Sequence, residues 1–183
     1  MTRIPPVDPN NLSAEQQRVW DNIATGPRKA VTGPATFWLH TPEMAQPAQA
    51  LGAYCRYGSS LPPRLSELAI LVTAQCWQAG YEWAAHAPHA EKGGLSLTVI
   101  EALRRGETPP FEHDDERAVW AFAKELIETR AVSAATFEWA RAHLGQRGLV
   151  DLVGVLGYYA LISMTIKAFE MPPPADKPDP FAL

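Results

Sequence analysis

Leu65-Ser-Glu-Leu-Ala-Ile-Leu-Val-Thr-Ala-Gln-Cys-Trp-Gln78 is apolar at almost every position and carries a single acidic side chain, Glu67. Leu65, Leu68, Ala69, Val72, Cys76 and Ala79 recur at helical spacing, and no run in the chain shows the period-2 alternation of a half-buried strand. A helix this apolar has to be enclosed by others. An all-α fold follows.

Outward from this stretch, helix start signals recur. Leu12-Ser-Ala-Glu-Gln16 has a capping-box pattern, Thr41-Pro-Glu43 puts proline at a first helical position, and Ser96 and Ser133 precede further helical runs. Gly93-Gly94 and Gly145 fit helix ends, and Gly154 with Gly157 would let another helix approach closely. These signals predict helices over 13–24, 43–57, 63–78, 81–93, 97–105, 114–129, 133–144 and 148–169. The last is apolar nearly all round, so it is expected in the middle of a bundle or at a subunit interface.

The 183 residues fit one domain, 1–183, able to bury a core without disulfides or metal. Of the 17 prolines, Pro5, Pro6 and Pro9 and then Pro172–Pro174, Pro178 and Pro180 mark extended arms at about 1–11 and 171–183. A net charge of −4 with scattered Lys and Arg leaves no footprint for nucleic acid, and no basic amphipathic run suggests a membrane surface. The charge-free run Leu152–Ile166 is short of the roughly 20 apolar residues of a membrane span. The first residues lack the apolar region of a secretory signal, so a cytoplasmic location is expected. Cys55 and Cys76 form neither a C-x-x-C nor a metal-ligand spacing.

Candidate chemistry lies in the next helix. At 100° per residue, Glu82, His86 and His89 share one face, and Glu82 and His86 are an i,i+4 pair in which the carboxylate can orient the imidazole and raise its pKa. An acid/base site and a solvated surface ion pair both satisfy this spacing. Three ligands on that face would also suit zinc or iron, although one kinked helix is a demanding scaffold for a metal. Pro88 should kink the helix and free the carbonyl of Ala84. Glu67 reads either as a first-turn acid favoured by the helix N-terminus or as a proton carrier facing the next helix. Cys76 falls nearly opposite Glu67 on the wheel and reads as a core thiol.

Ser60-Leu-Pro-Pro-Arg-Leu-Ser-Glu-Leu-Ala-Ile-Leu71 and Tyr81-Glu-Trp-Ala-Ala-His-Ala-Pro-His-Ala-Glu-Lys-Gly-Gly-Leu-Ser96 resemble the core of the carboxymuconolactone decarboxylase and alkylhydroperoxidase D superfamily. Thr32-Gly-Pro and Leu39-His-Thr-Pro-Glu upstream, and Gly145-Gln-Arg-Gly-Leu-Val-Asp-Leu with Gly157-Tyr-Tyr downstream, extend the likeness over about residues 11–174. The peroxidase branch has a glutamate, a C-x-x-C pair and a histidine four residues after the second cysteine. With His86 in the histidine position, the cysteine slots fall on Ala79 and Glu82 and the glutamate on Glu67. Both cysteines are therefore missing, and a thiol peroxidase lacks its attacking and resolving sulfurs. A peroxidase using Cys76 alone is a disfavoured alternative, and a non-catalytic helical oligomer is another.

The resemblance implies an all-helical bundle of the alkylhydroperoxidase D kind, assembling as a homo-oligomer, commonly a trimer or hexamer, and acting on a small molecule without a cofactor. It implies proton-transfer or decarboxylation chemistry on a carboxylated, lactone-type substrate. In that reading His86 is the acid/base, Glu82 orients it, Glu67 completes the relay, and Tyr81 donates to the developing oxyanion. Arg64 or Arg56 would hold the substrate carboxylate.

Overall fold

The computed structural model describes residues 2–182. Eight helices form among them: α1 (Ala14–Thr25), α2 (Ala35–Trp38), α3 (Pro42–Tyr57), α4 (Pro63–Trp77), α5 (Gly80–Lys92), α6 (Leu97–Arg104), α7 (Asp114–Thr129) and α8 (Ala134–Ala168). The local signals operate where the sequence puts them. Ser13 Oγ accepts from the Gln16 amide while Gln16 Oε1 accepts from the Ser13 amide. Ser96 and Ser133 cap α6 and α8, and prolines open α3 and α4.

α4 is the central element. Every residue from Leu65 to Ala74 is buried, and the helix packs against α5, α7 and α8. At roughly 1.5–3 kcal/mol for each large apolar side chain removed from water, Leu65, Leu68, Ile70, Leu71 and Val72 make it the best anchored part of the chain. Glu67 sits in this packed stretch, so its position is set by the core around it.

Three features differ from the sequence expectations. The four-residue α2 is too short to show periodicity and was not anticipated. The two helices expected at 133–144 and 148–169 form one element with a break at Gly145, whose φ of 67° and ψ of 178° no other residue type adopts without strain. Of the two places expected for α8, the middle of a bundle holds for one side only. Leu152, Val155, Tyr159 and Ile162 face the core, but Val150, Val153, Leu161 and Met164 are exposed. By length and composition α8 could cross a membrane, which the run Leu152–Ile166 alone understates; 61% of its most apolar window is instead buried inside the protein.

The terminal segments pack against the helices. The Val7 amide donates to Thr36, and Arg3 pairs with Glu170. On the C-terminal side, Lys177 Nζ donates to the Ala84 carbonyl at 2.8 Å, and Phe181 meets the Trp83 ring edge-on at 5.4 Å. The Ala84 carbonyl is the acceptor orphaned by Pro88 inside α5. The tail fills it.

Candidate active site

α4 and α5 place three ionisable groups in contact. His86 Nδ1 donates to Glu67 Oε2 at 2.6 Å, and His86 Nε2 lies 3.0 Å from Glu82 Oε1. Glu67, Glu82 and His86 are only 7%, 4% and 5% exposed, which removes the surface ion-pair reading of Glu82 and His86. Burial opposes a charge on His86, yet the adjacent Glu82 and Glu67 carboxylates outweigh it and push the imidazole up to about 9. At neutral pH it is an imidazolium held between two carboxylates. Such a buried ionic cluster is an expensive way to hold two helices together, and it is the kind of arrangement found where protons are moved.

A cavity of about 90 Å³ opens beside the cluster. α5 gives it one wall through Tyr81, Glu82, Ala85 and His86; Tyr158, Tyr159 and Ile162 come from α8, and Arg28, Thr32–Ala35 and Trp38 from the segment between α1 and α3. The Tyr159 ring stands edge-on to His86 at 5.1 Å, and Trp38 Nε1 donates to Thr165 Oγ1 at 2.9 Å, which fixes the indole. The turn carrying Thr32 needs glycine next to it. Gly33 has φ +62°, and a Cβ there would stand 2.9 Å from the Tyr81 ring. Burial raises the Tyr81 phenol above its usual value, so it stays protonated and able to donate. A second, open groove lined by Arg56, Tyr57, Pro63, Glu67, His89 and Lys92 reaches the other end of the cluster. Glu67 faces that groove and Glu82 the smaller cavity, with the imidazole between them.

Three sequence readings change here. The metal alternative of Glu82, His86 and His89 finds no assembled ligand set: His86 Nδ1 is taken by Glu67, and His89 Nε2 takes a hydrogen bond from Arg56 Nη2 at 2.9 Å. No group of three or more His, Cys, Asp or Glu among the described residues is arranged to hold a metal ion. Arg64 is occupied by Asp115 and Glu116 and is not a substrate contact, whereas Arg56 does line the cavity. Cys76 is half-buried in a separate groove with Lys124, Ile127 and Met164, and burial raises its thiol pKa. It is remote from the His86 cavity and poorly suited to form a thiolate.

Arg28, Tyr158 and Tyr159 were not singled out from sequence. A loop arginine 130 positions from its tyrosine partner leaves no local signal. The Gly157-Tyr-Tyr likeness pointed to the right stretch of α8 but not to its chemistry.

Residues 42–125 match the carboxymuconolactone decarboxylase family. Through this segment, a little under half of its length, the chain is similar to that family. The match contains α3 to most of α7, and with them Glu67, Tyr81, Glu82 and His86. No curated protein matches the chain. Among solved structures, an uncharacterized peroxidase-related protein from Silicibacter sp. TM1040 is similar at a TM-score of 0.74 and 19% identity, over 95% of this chain and 91% of that one. A second peroxidase-related protein, an alkylhydroperoxidase AhpD core from Ralstonia eutropha JMP134, gives 0.72 and 18%, over 96% and 93%. The debrominase Bmp8, solved in complex with 2,3,4-tribromopyrrole, gives 0.75 and 14%, over 96% and 93%. At these identities the likeness shows the fold, which is alkylhydroperoxidase D-like.

Proposed function

We propose that this protein is a cofactor-independent enzyme that decarboxylates a small carboxylated molecule of lactone type, or carries out closely related proton-transfer chemistry, with His86 as the general acid. The observation that carries this reading is the buried Glu67–His86–Glu82 cluster, which keeps a proton on an imidazole at neutral pH at the edge of a small cavity.

The bond between the substrate carbon and its carboxylate breaks, the electron pair passes into a conjugated carbonyl as an enolate, and CO2 leaves. Tyr81 donates to the enolate oxygen, a donor set in place before the charge appears. His86 delivers the Nε2 proton to carbon, and the electron pair of the enolate returns to form the new C–H bond. The neutral imidazole keeps its Nδ1–H on Glu67, and Nε2 takes back one proton from water that enters the cavity as the product leaves, so each turnover consumes one proton. Glu67 and Glu82 hold the ring in orientation and favour its charged form between turnovers.

A screen of carboxylated lactones and related keto acids for CO2 release and proton uptake tests the reading. His86→Ala should lower kcat by about 10²–10⁴-fold, the range of general acid catalysis, and Glu82→Gln should lower it by a smaller factor. Turnover that survives in both variants would show that the proton comes from elsewhere.

A further inference from the structure

The segment after α8 folds back over α5 at the turn that carries His86. Glycine at the first residue of α5 lets it approach: a Cβ on Gly80 would stand 2.6 Å from Asp179 Oδ1. Further along α5, Phe181 meets Trp83 edge-on and Lys177 Nζ donates to the Ala84 carbonyl. Asp179 Oδ1 accepts from the Phe181 amide at 3.0 Å, which shapes the turn between these contacts. Arg104 Nη1 of α6 donates to the Pro180 carbonyl at 2.9 Å and ties the segment down beside them. Among the described residues Lys177 enters no ion pair, so its ammonium serves that one carbonyl.

At about 100° per residue, Ala84 lies roughly opposite Glu82 and His86 on the α5 wheel. The segment therefore braces the back of the helix whose front carries those two side chains. The brace falls where the helix is weakest. Pro88 has no amide for the Ala84 carbonyl and its ring crowds that oxygen, so the turn with His86 in its middle lacks its own hydrogen bond. An ammonium supplies a charge-assisted one. We propose that Lys177 is a positioning residue: by completing the broken turn of α5 it fixes the Pro88 kink and keeps the His86 ring within reach of both Glu67 and Glu82. This rests, for its catalytic meaning, on the reading of the cluster as the reaction site. The ring bridges two helices, with 2.6 Å to Glu67 Oε2 and 3.0 Å to Glu82 Oε1, and a drift of about 1 Å would carry either contact out of hydrogen-bonding range. The other groups facing His86 are the Tyr159 ring of α8 and, one turn along α5, the His89 ring at 5.9 Å. The sign of the effect separates position from charge. A cation acting on His86 directly would raise its pKa when removed, whereas loosened carboxylate contacts leave burial to oppose the charge and lower it.

Imidazole NMR titration of the full chain tests this in wild type, Lys177→Met, Pro88→Ala and the double variant. Lys177→Met should lower the His86 titration from about 9 by about half a unit or more, roughly a threefold loss of proton affinity. Pro88→Ala returns an amide that can serve the Ala84 carbonyl, so in that background Lys177→Met should move the titration by less than half as much. A titration that is unmoved or raised in Lys177→Met, or that falls equally in both backgrounds, overturns the proposal. Should Pro88→Ala fail to fold, Lys177→Arg decides: its longer side chain still donates, and a titration back at the wild-type value supports the positioning role, whereas one as low as in Lys177→Met overturns it. The titration needs no substrate. A failed substrate screen would therefore count against the reaction, while the position of the His86 titration decides the role of Lys177.

Discussion

His86 is held by opposing forces: burial works against its charge, and the Glu82 and Glu67 carboxylates work for it. Its pKa in the fold, about 9, exceeds the ordinary value near 6.5, so the folded state binds the proton more tightly than the unfolded chain. The sign follows by linkage. This contribution to stability is complete below about pH 6.5 and is lost as pH rises through about 9. Imidazole NMR should show His86 titrating near 9, and the thermal midpoint should fall across that window in wild type but less in His86→Ala. Glu67→Gln should move the titration down and cost on the order of 3–5 kcal/mol, since it breaks a buried pair. An unmoved titration would mean that Glu82 alone holds the proton. Glu82 and His86 were legible in sequence because helical spacing puts them on one face. Glu67 lies 19 residues before His86; its residue type left a proton carrier facing the next helix as one of two readings, and the family register favoured that one. Their burial was not legible, because a carboxylate–imidazole pair at i,i+4 looks the same on a surface as in a core.

Helices announce themselves through caps and periodicity, and the long ones here lie close to where Ser13, Pro42, Pro63, Ser96 and Ser133 put their starts. α2 escapes because four residues carry no period. Gly145 was visible as a helix end, but that the chain would resume as a helix at once was not, since this depends on how α8 packs on α3, α4 and α7. Pro88 shows local and tertiary chemistry meeting. The sequence predicts a freed carbonyl at Ala84, and the partner that satisfies it, Lys177, lies 93 residues away. Lys177→Ala should leave that acceptor unpaired, at a cost of about 1 kcal/mol, and loosen the tail. Faster proteolysis of residues 171–182 is the expected result, read by mass spectrometry. A tail equally protected in the variant would place its anchoring at Phe181 and Trp83 instead.

Across the whole molecule, the outward side of α8 stays apolar, with Val150 at 71% exposure and Val153, Leu161 and Met164 beside it. Gly157 on the same helix has open space where a Cβ would stand. We propose that a second copy of the chain covers this stripe, an apolar face meeting its own equivalent. Sedimentation should then find an assembly in wild type and a smaller species for Val153→Glu, with helix content retained. A wild-type monomer would reject it. The small cavity has a further consequence for the proposed reaction. Among its walls the imidazole occurs on one, α5, whereas Arg28 approaches from the loop after α1 and the two tyrosines from α8. In the proposed reaction His86 delivers hydrogen from the α5 side alone. Where the receiving carbon bears three other, different groups, the handedness of the product is then written into the order in which three parts of one chain surround it.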